Sequence, residues 1–315
     1  MISLLPTINI DTAVKLLKNG ECVAVPTETV YGLAGMISSA SAIESIFKIK
    51  ERPFFDPLIV HVSSINDVNL VAREFPLLAQ KIAQKFWPGP LTLVLPKAAH
   101  VSPMITSGLE TVAVRMPDHK LTLDLIKALG EPVAAPSANK FGKTSPTQVA
   151  HVFAEFGSDV PILDGGSCKI GIESTVIGFD DEFTQIEVYR PGAVTINMLR
   201  EFAPVIEKKS QASPGQVKHH YQPSKPFFIV DPTVGLSIDR YQRICETLKM
   251  EAFHPSWVSL SSDPVLAARE LYAQIRRADQ TPHTDGLIIE YDMNLVSGVW
   301  GAITDRLSRA GTEVA

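Results

Sequence analysis

Cationic side chains recur in this sequence beside hydroxyls and amides, each time at the edge of a short apolar run. The segment KERPFFDPLIVH sets Lys50, Arg52, Asp56 and His61 around Pro53 and Pro57. Arginine offers a planar fork to phosphate oxygens and lysine a point charge. The prolines make the segment stiff enough to hold charges in place. A plainer reading also exists: Lys50 and Arg52 end a predicted helix, where cations suit the dipole anyway. His61, in a strand, equally suits a half-buried, hydrogen-bonded role. The segment TVAVRMPDH ends a strand in Arg115, which could be an anion contact or a structural ion pair. APSANKFGKTSPT gathers Ser137, Asn139, Gly142, Lys143, Thr144 and Ser145 after another strand. Short hydroxyls, an amide and a glycine make an anion cradle, although the Walker spacing is absent. The alternative is a surface turn in which Thr144–Pro146 starts a helix.

Three further segments repeat the pattern. PTETVYGLAG places Thr27, Glu28, Thr29 and Tyr31 directly after a strand, where α/β sheets bind ligands; Gly32 and Gly35 could equally serve a strand-to-helix turn. GIESTVIGF and YRPGAV contribute Ser174, Thr175 and Arg190. They also read as a plain hairpin with Arg190 on its solvated side. The polar stretch around Lys218, His219, His220, Tyr221 and Lys225 suggests metal only weakly, because adjacent histidines on an extended chain point apart. No GxSxG elbow or HExxH pair occurs. Three arginines and several hydroxyls brought to one sheet edge would bind a phosphorylated small molecule, and the residue types alone reach no further.

The elements that must position these groups follow from apolar patterning. Strands are expected at Cys22–Pro26, Leu58–Val62, Leu91–Leu95, Val112–Arg115, Val133–Ala135, Val176–Phe179 and Ile186–Tyr189. Helices are expected at Ile10–Lys18, Ala42–Lys50, Leu77–Phe86, Leu121–Leu129, Gln148–Phe156 and Ile196–Phe202. Ser41 and Glu44 have capping-box spacing, and Gly130 is placed to end a helix. This predicts an α/β domain with a mixed sheet over residues 1–206. Residues 207–226 are polar, basic and proline-containing, and read as a linker or active-site loop. Beyond them, strands at Phe227–Val230, Trp257–Leu260 and Gly286–Tyr291 alternate with helices at Ile238–Leu248, Val265–Arg277 and Gly298–Arg309. Residues 227–315 therefore read as a small three-strand α/β domain.

Composition narrows the classes. The 315 residues are 45% hydrophobic and 20% charged, with net charge −5. That excludes wholesale disorder and disfavours a strongly basic nucleic-acid binder. No apolar run suffices for a transmembrane helix, and the N-terminal residues lack signal-peptide features. Cys22, Cys168 and Cys245 are widely spaced, which disfavours a disulfide framework and suits reduced cytoplasmic thiols.

Taken in order, PTETVYGL, KERPFFDPLIVH, PGPLTLVL, TVAVRMPDH, APSANKFGKTSPT, GIESTVIGF and YRPGAVT resemble the YrdC-like family of L-threonylcarbamoyladenylate synthases. The segment SPGQVKHHYQPSKP and the domain after it resemble that family's long, two-domain branch. The resemblance implies a twisted mixed-sheet catalytic domain, a linker acting as a lid, and a second small α/β domain. It implies a cytoplasmic nucleotidyltransferase that makes threonylcarbamoyl-AMP and pyrophosphate from L-threonine, bicarbonate and ATP, with Mg2+ accompanying the ATP and no resident metal. The product would feed a downstream tRNA threonylcarbamoyl transferase that modifies adenosine at position 37; contact with tRNA stays open. Carried over by motif, Thr29, His61, Arg115, Ser174 and the Ala135 backbone are threonine contacts. Arg52, Asp56, Thr111, Ser137, Asn139, Ser145, Arg190 and Tyr221 are nucleotide contacts, and Lys50 with Arg52 forms the catalytic pair at the phosphates. Two departures stand out. Gln216, Val217, Lys218 and His219 replace the family's usual Met, Lys, Tyr and Arg in the linker, and Asp305 replaces Asn ahead of Arg306 and Leu307. Two rivals share the fold: carbamoyl transfer in hydrogenase maturation, whose additional cysteine-rich modules find no room here, and a non-catalytic double-stranded RNA- or tRNA-binding module.

Overall fold

The computed structural model describes residues 7–214 and 220–314. The first part of the chain forms strands β1 (Thr7–Ile8), β2 (Val23–Val25), β3 (Gly32–Met36), β4 (Ile59–His61), β5 (Leu91–Pro96) and β6 (Thr111–Arg115). Strands β7 (Val133–Ala134), β8 (Ile162–Leu163), β9 (Thr175–Phe179), β10 (Ile186–Arg190) and β11 (Val205–Glu207) complete an eleven-stranded sheet. Its order is β1-β8-β2-β3-β7-β4-β6-β5-β9-β10-β11, with parallel and antiparallel neighbours mixed. Helices α1 (Ile10–Lys18), α2 (Ala40–Lys50), α3 (Leu77–Phe86), α4 (Pro103–Thr106), α5 (Lys120–Leu129), α6 (Val149–Phe156) and α7 (Ile196–Leu199) accompany it.

Most of the expected elements form, and the exceptions have physical reasons. Helix α2 starts two residues earlier than expected: Ser39, not Ser41, is its cap, and the Ala42 amide donates to the Ser39 hydroxyl at 3.2 Å. Gly130 ends α5 with φ of 80°, as expected. PTETVYGLAG runs into a strand rather than a helix. Gly32 and Gly35 sit in β3 because a Cβ there would lie 3.2 Å from the Cβ of Ala135 and of Ala42, respectively. They permit close packing, not a turn. α7 stops at Leu199, short of Phe202. Thr144–Pro146 starts no helix, since α6 begins at Val149.

The second sheet contains β12 (Phe227–Val230), β13 (Pro255–Val258), β14 (Gly286–Glu290) and β15 (Thr312–Val314), in the order β13-β14-β12-β15. All its neighbours are parallel. The expected three strands are thus four, because the short polar run at Thr312–Val314 adds to the β12 edge, and backbone pairing does not require an apolar sequence. Helices α8 (Ile238–Leu248), α9 (Pro264–Asp279) and α10 (Gly298–Ala310) are its crossovers. Asp263 caps α9 and Pro264 occupies its first turn, the preferred order at a helix start.

The two sheets share a core. Val30 and Ile172 of the first part, and Tyr221 of the linker, pack in one cluster with Leu271, Tyr272, Ile303 and Leu307 of α9 and α10. Gly171 marks the closest approach: its φ is 84°, and a Cβ would collide with the Arg269 carbonyl oxygen on α9. Gly108 has a similar φ of 80° with nothing near it. Gly108→Ala should therefore cost only the left-handed penalty of about 1–2 kcal/mol. Gly171→Ala adds a backbone collision and should lower the thermal midpoint more; equal midpoints for the two variants would contradict a tight junction.

Candidate active site

The parallel register of β4 and β6 builds the floor of a cavity. It pairs Ile59 with Ala113 and His61 with Arg115. Side chains alternate between faces, so Ile59, His61, Ala113 and Arg115 share one face, with Val60 and Val114 in the core on the other. Thr29, Arg52, His61, Arg115, Ala135, Ser137, Ser174, Arg190 and Tyr221 all line the resulting space, as do Thr27, Glu173, Pro214 and His220. Three buried guanidinium groups thus surround a single cavity.

Each arginine is held from behind. Arg52 pairs with Asp56 at 2.9 Å, and its Nε and Nη2 donate to the carbonyls of Asp56 and Pro57. Arg115 pairs with Glu28 at 2.7 Å and donates through Nε to Gly89 O. Arg190 is buried rather than on the solvated side of the β9–β10 hairpin. It donates to Ser174 O, Ser174 Oγ and Pro214 O. Ser174 Oγ shares a 2.7 Å hydrogen bond with Thr92 Oγ1.

Five expected site residues do not line the cavity. Lys50 is buried, and its Nζ donates to the carbonyls of Ser137 and Asn139 at 2.6 and 2.5 Å. It braces the loop that carries Ser137. Burial and neighbouring Arg52 push its pKa well below the ordinary lysine value. Asn139 donates to the carbonyls of Lys140 and Lys143, closing the same loop. Asp56 orients Arg52. Ser145 donates to Glu173 Oε1 at 2.6 Å. Thr111 stands at the far end of β6 from Arg115, two residues before the Ile59–Ala113 pair and toward Pro57. These residues act behind the wall, or at its rim, because a motif puts residues near a site without deciding which way each side chain turns.

The described residues on either side of 215–219 reach the cavity. Ala212 packs on the cluster that includes Ile59, Ala113 and Val176. Pro214 accepts from Arg190. After residues 215–219, His220 and Tyr221 close the far side. The Thr144 amide donates to Gln222 O, and Thr144 Oγ1 donates to Tyr221 O. Tyr221 is 1% exposed, has φ of 67°, and its hydroxyl finds no hydrogen-bond partner among the described residues. The substitutions at Gln216, Val217, Lys218 and His219 lie outside the described residues. Glu207 begins the stretch in β11, so the polar run is not wholly irregular.

Glu173 was not foreseen from the sequence. Burial raises its pKa, but Arg306 and Arg190, with hydrogen bonds from Ser145 and Tyr272, outweigh that and hold it down to about 2. Its partner Arg306 comes from α10, at 3.0 Å. No local signal links positions so far apart in the chain.

Burial lowers His61 to about 3, with Arg115 adding to the effect, and burial likewise lowers His220 to about 3. The half-buried option for His61 is therefore replaced by a fully buried, neutral imidazole. An unfolded histidine titrates near about 6.5. Between those values the unfolded chain binds more protons, so stability rises with pH. The thermal midpoint should fall as pH drops from about 6.5 toward 3, and His61→Gln should lose less over that window; an identical slope in the variant would contradict this.

The fold and cavity define a class: a two-domain α/β protein with an arginine-lined pocket on a mixed sheet, to which Pro214, His220 and Tyr221 of the polar stretch contribute. A family model for Sua5, YciO and YrdC proteins, described as "Telomere recombination", matches residues 15–192. A second model, described as the threonylcarbamoyl-AMP synthase C-terminal domain, matches residues 194–312. The threonylcarbamoyl-AMP synthase of Pyrococcus abyssi is 42% identical over 229 residues, 70% of this chain and 67% of that protein. That of Bacillus subtilis is also 42% identical, over 70% of this chain and 66% of that protein. The crystal structure of P. abyssi Sua5 complexed with L-threonine matches with TM-score 0.82 and 34% identity, covering 96% of this chain and 95% of that one. The chain belongs to the threonylcarbamoyl-AMP synthase family, in its two-domain Sua5 form.

Proposed function

We propose that this protein is a nucleotidyltransferase that forms threonylcarbamoyl-AMP and pyrophosphate from L-threonine, bicarbonate and ATP. The observation that carries this reading is the convergence of Arg52, Arg115 and Arg190 on one cavity. Both reacting partners are anions, so catalysis needs cations that offset repulsion and align the groups. Threonine occupies the His61–Arg115 end, its carboxylate on the Arg115 fork and its polar groups near Thr29, Ser174 and the Ala135 backbone. Bicarbonate takes up a proton and leaves CO2 and water; the neutral amine bonds to the CO2 carbon and gives up a proton in turn, so that a carbamate and one water are the net products. A carbamate oxygen then attacks the α-phosphorus, and pyrophosphate leaves. The nucleotide lies toward Arg52, Pro57 and Thr111, beside Ser137 and Arg190. Lys50 and Asn139 keep the Ser137 loop in place, Ser145 acts through Glu173, and Asp56 acts through Arg52. Mg2+ accompanying the ATP would neutralise phosphate charge.

Residues 1–206 form the catalytic domain in this reading, 207–226 the lid and 227–315 the second domain. The enclosed position of Tyr221 supports a lid that keeps water from the mixed anhydride. Tyr221→Ala should raise the ratio of free AMP to threonylcarbamoyl-AMP several-fold; an unchanged ratio would remove the lid role. Among the described residues no helix is long and apolar enough to cross a membrane. Cys22, Cys168 and Cys245 are free and buried, which fits a cytoplasmic protein. The product would pass to a tRNA threonylcarbamoyl transferase.

Pyrophosphate release by purified protein, with threonine and bicarbonate omitted in turn, tests the reaction. Release that needs both supports the synthase. Release without threonine means another acceptor or an ATPase. A folded protein that releases none but binds duplex RNA in a salt-dependent way would favour the RNA-binding alternative.

A further inference from the structure

A buried carboxylate lines the cavity proposed to hold ATP. Glu173 is 7% exposed, and beside an anionic nucleotide its charge would be repulsive. The carboxylate has three hydrogen-bond partners, two of them from the second domain, while Arg190 adds its charge from the first. Arg306 of α10 donates through Nε to Oε2 at 3.0 Å, and Tyr272 of α9 donates to the same oxygen at 2.8 Å. Ser145 donates to Oε1 at 2.6 Å.

The same two residues hold the lid aromatic. The Arg306 guanidinium carbon lies 5.5 Å from the Tyr221 ring centre, and the Tyr272 ring stacks on it at 5.7 Å. Arg306 is 1% exposed, and its Nη1 also donates to Pro191 O at 2.8 Å, beside Arg190. One guanidinium therefore touches the Glu173 wall, the Arg190 turn and the lid together.

We propose that Arg306 and Tyr272 are positioning residues for the nucleotide: the second domain completes the active site by cancelling the Glu173 charge and seating Tyr221. The inference rests on the ATP reading above and assigns the second domain a role in it. Arg306→Gln frees a carboxylate to face the phosphates. Removing that carboxylate as well should restore the site, a rescue that a purely structural contact does not give.

The test compares wild-type protein, Arg306→Gln, and Arg306→Gln combined with Glu173→Gln, all full length, by pyrophosphate release. The KM for ATP should rise about 10-fold or more in Arg306→Gln, the scale of a lost charge-assisted contact. The KM for threonine should stay within about twofold, and the double variant should recover most of the ATP effect. An unchanged KM for ATP in the single variant, or a double variant as impaired as the single, overturns the inference. Should Arg306→Gln fail to fold, Tyr272→Phe removes one donor with little change of shape. A rise in its KM for ATP supports the inference, and no change overturns it. Wild-type protein without threonine-dependent pyrophosphate release would instead remove the ATP reading itself.

Discussion

Arg52→Ala is expected to reduce kcat/KM for ATP by about 10³-fold, because it deletes a preorganised cation from the place proposed for the developing phosphate charge. Arg52 spends Nε and Nη2 on carbonyls and Asp56, so the guanidinium is fixed before substrate arrives. Fixing it in advance avoids reorganisation in the reaction itself. The same contacts complicate the alanine variant. Asp56 loses its guanidinium in a site where both partners are 4% exposed, and breaking such a pair costs up to about 3–5 kcal/mol. Arg52→Lys separates the two effects. It keeps a positive charge by Asp56 but not the planar fork. Activity should fall about 10²-fold while the thermal midpoint stays close to that of the wild type. Near-normal activity in Arg52→Lys would mean that a point charge suffices; near-normal activity in Arg52→Ala would remove Arg52 from the reaction.

The second large effect concerns threonine. Arg115→Gln should raise the KM for threonine about 10–100-fold, the scale of a hydrogen-bonded charge contact worth about 1.5–3 kcal/mol. The KM for ATP should change far less, because the strand register puts Arg115 at the His61 end. Glu28 makes this variant costly in another way. Its carboxylate is 2% exposed, and Arg115 is the cation facing it at 2.7 Å. Arg115→Gln should thus lower the thermal midpoint, and adding Glu28→Gln should restore much of it, since an uncompensated buried charge is the penalty. The double variant should stay defective for threonine. Recovery of threonine use in the double variant would show that Arg115 serves structure alone.

Much of this arrangement is legible along the chain. Apolar patterning marks the strands that carry Ile59 and Arg115, and those that begin just after Thr175 and end just before Arg190, since strand and helix periods depend on neighbours in sequence. The order of motifs likewise carries the family resemblance. Chemical type is legible too: arginine, serine and asparagine beside strand ends offer an anion site, with a structural role as the alternative for each. Burial and direction are less so. Lys50 and Arg52 are two residues apart, yet one braces a loop and the other lines the cavity. The C-cap at Glu51, with φ of 52°, turns the chain between them, and the Arg52 amide closes that turn onto Phe47 O at 2.9 Å.

The sequence by itself determined the order of the longer apolar elements, the family and the set of candidate anion contacts, because each depends on residue type and near neighbours; the short strands such as Gly32–Met36 and Thr312–Val314 it did not show. Tertiary structure decided which of those contacts share a cavity, because strand register, not sequence order, sets His61 opposite Arg115. It alone decided that Glu173 meets Arg306 and that Tyr221 is held between two domains. An ion pair between distant positions has no local periodicity; it exists only once both domains have folded against each other and removed water from the charges.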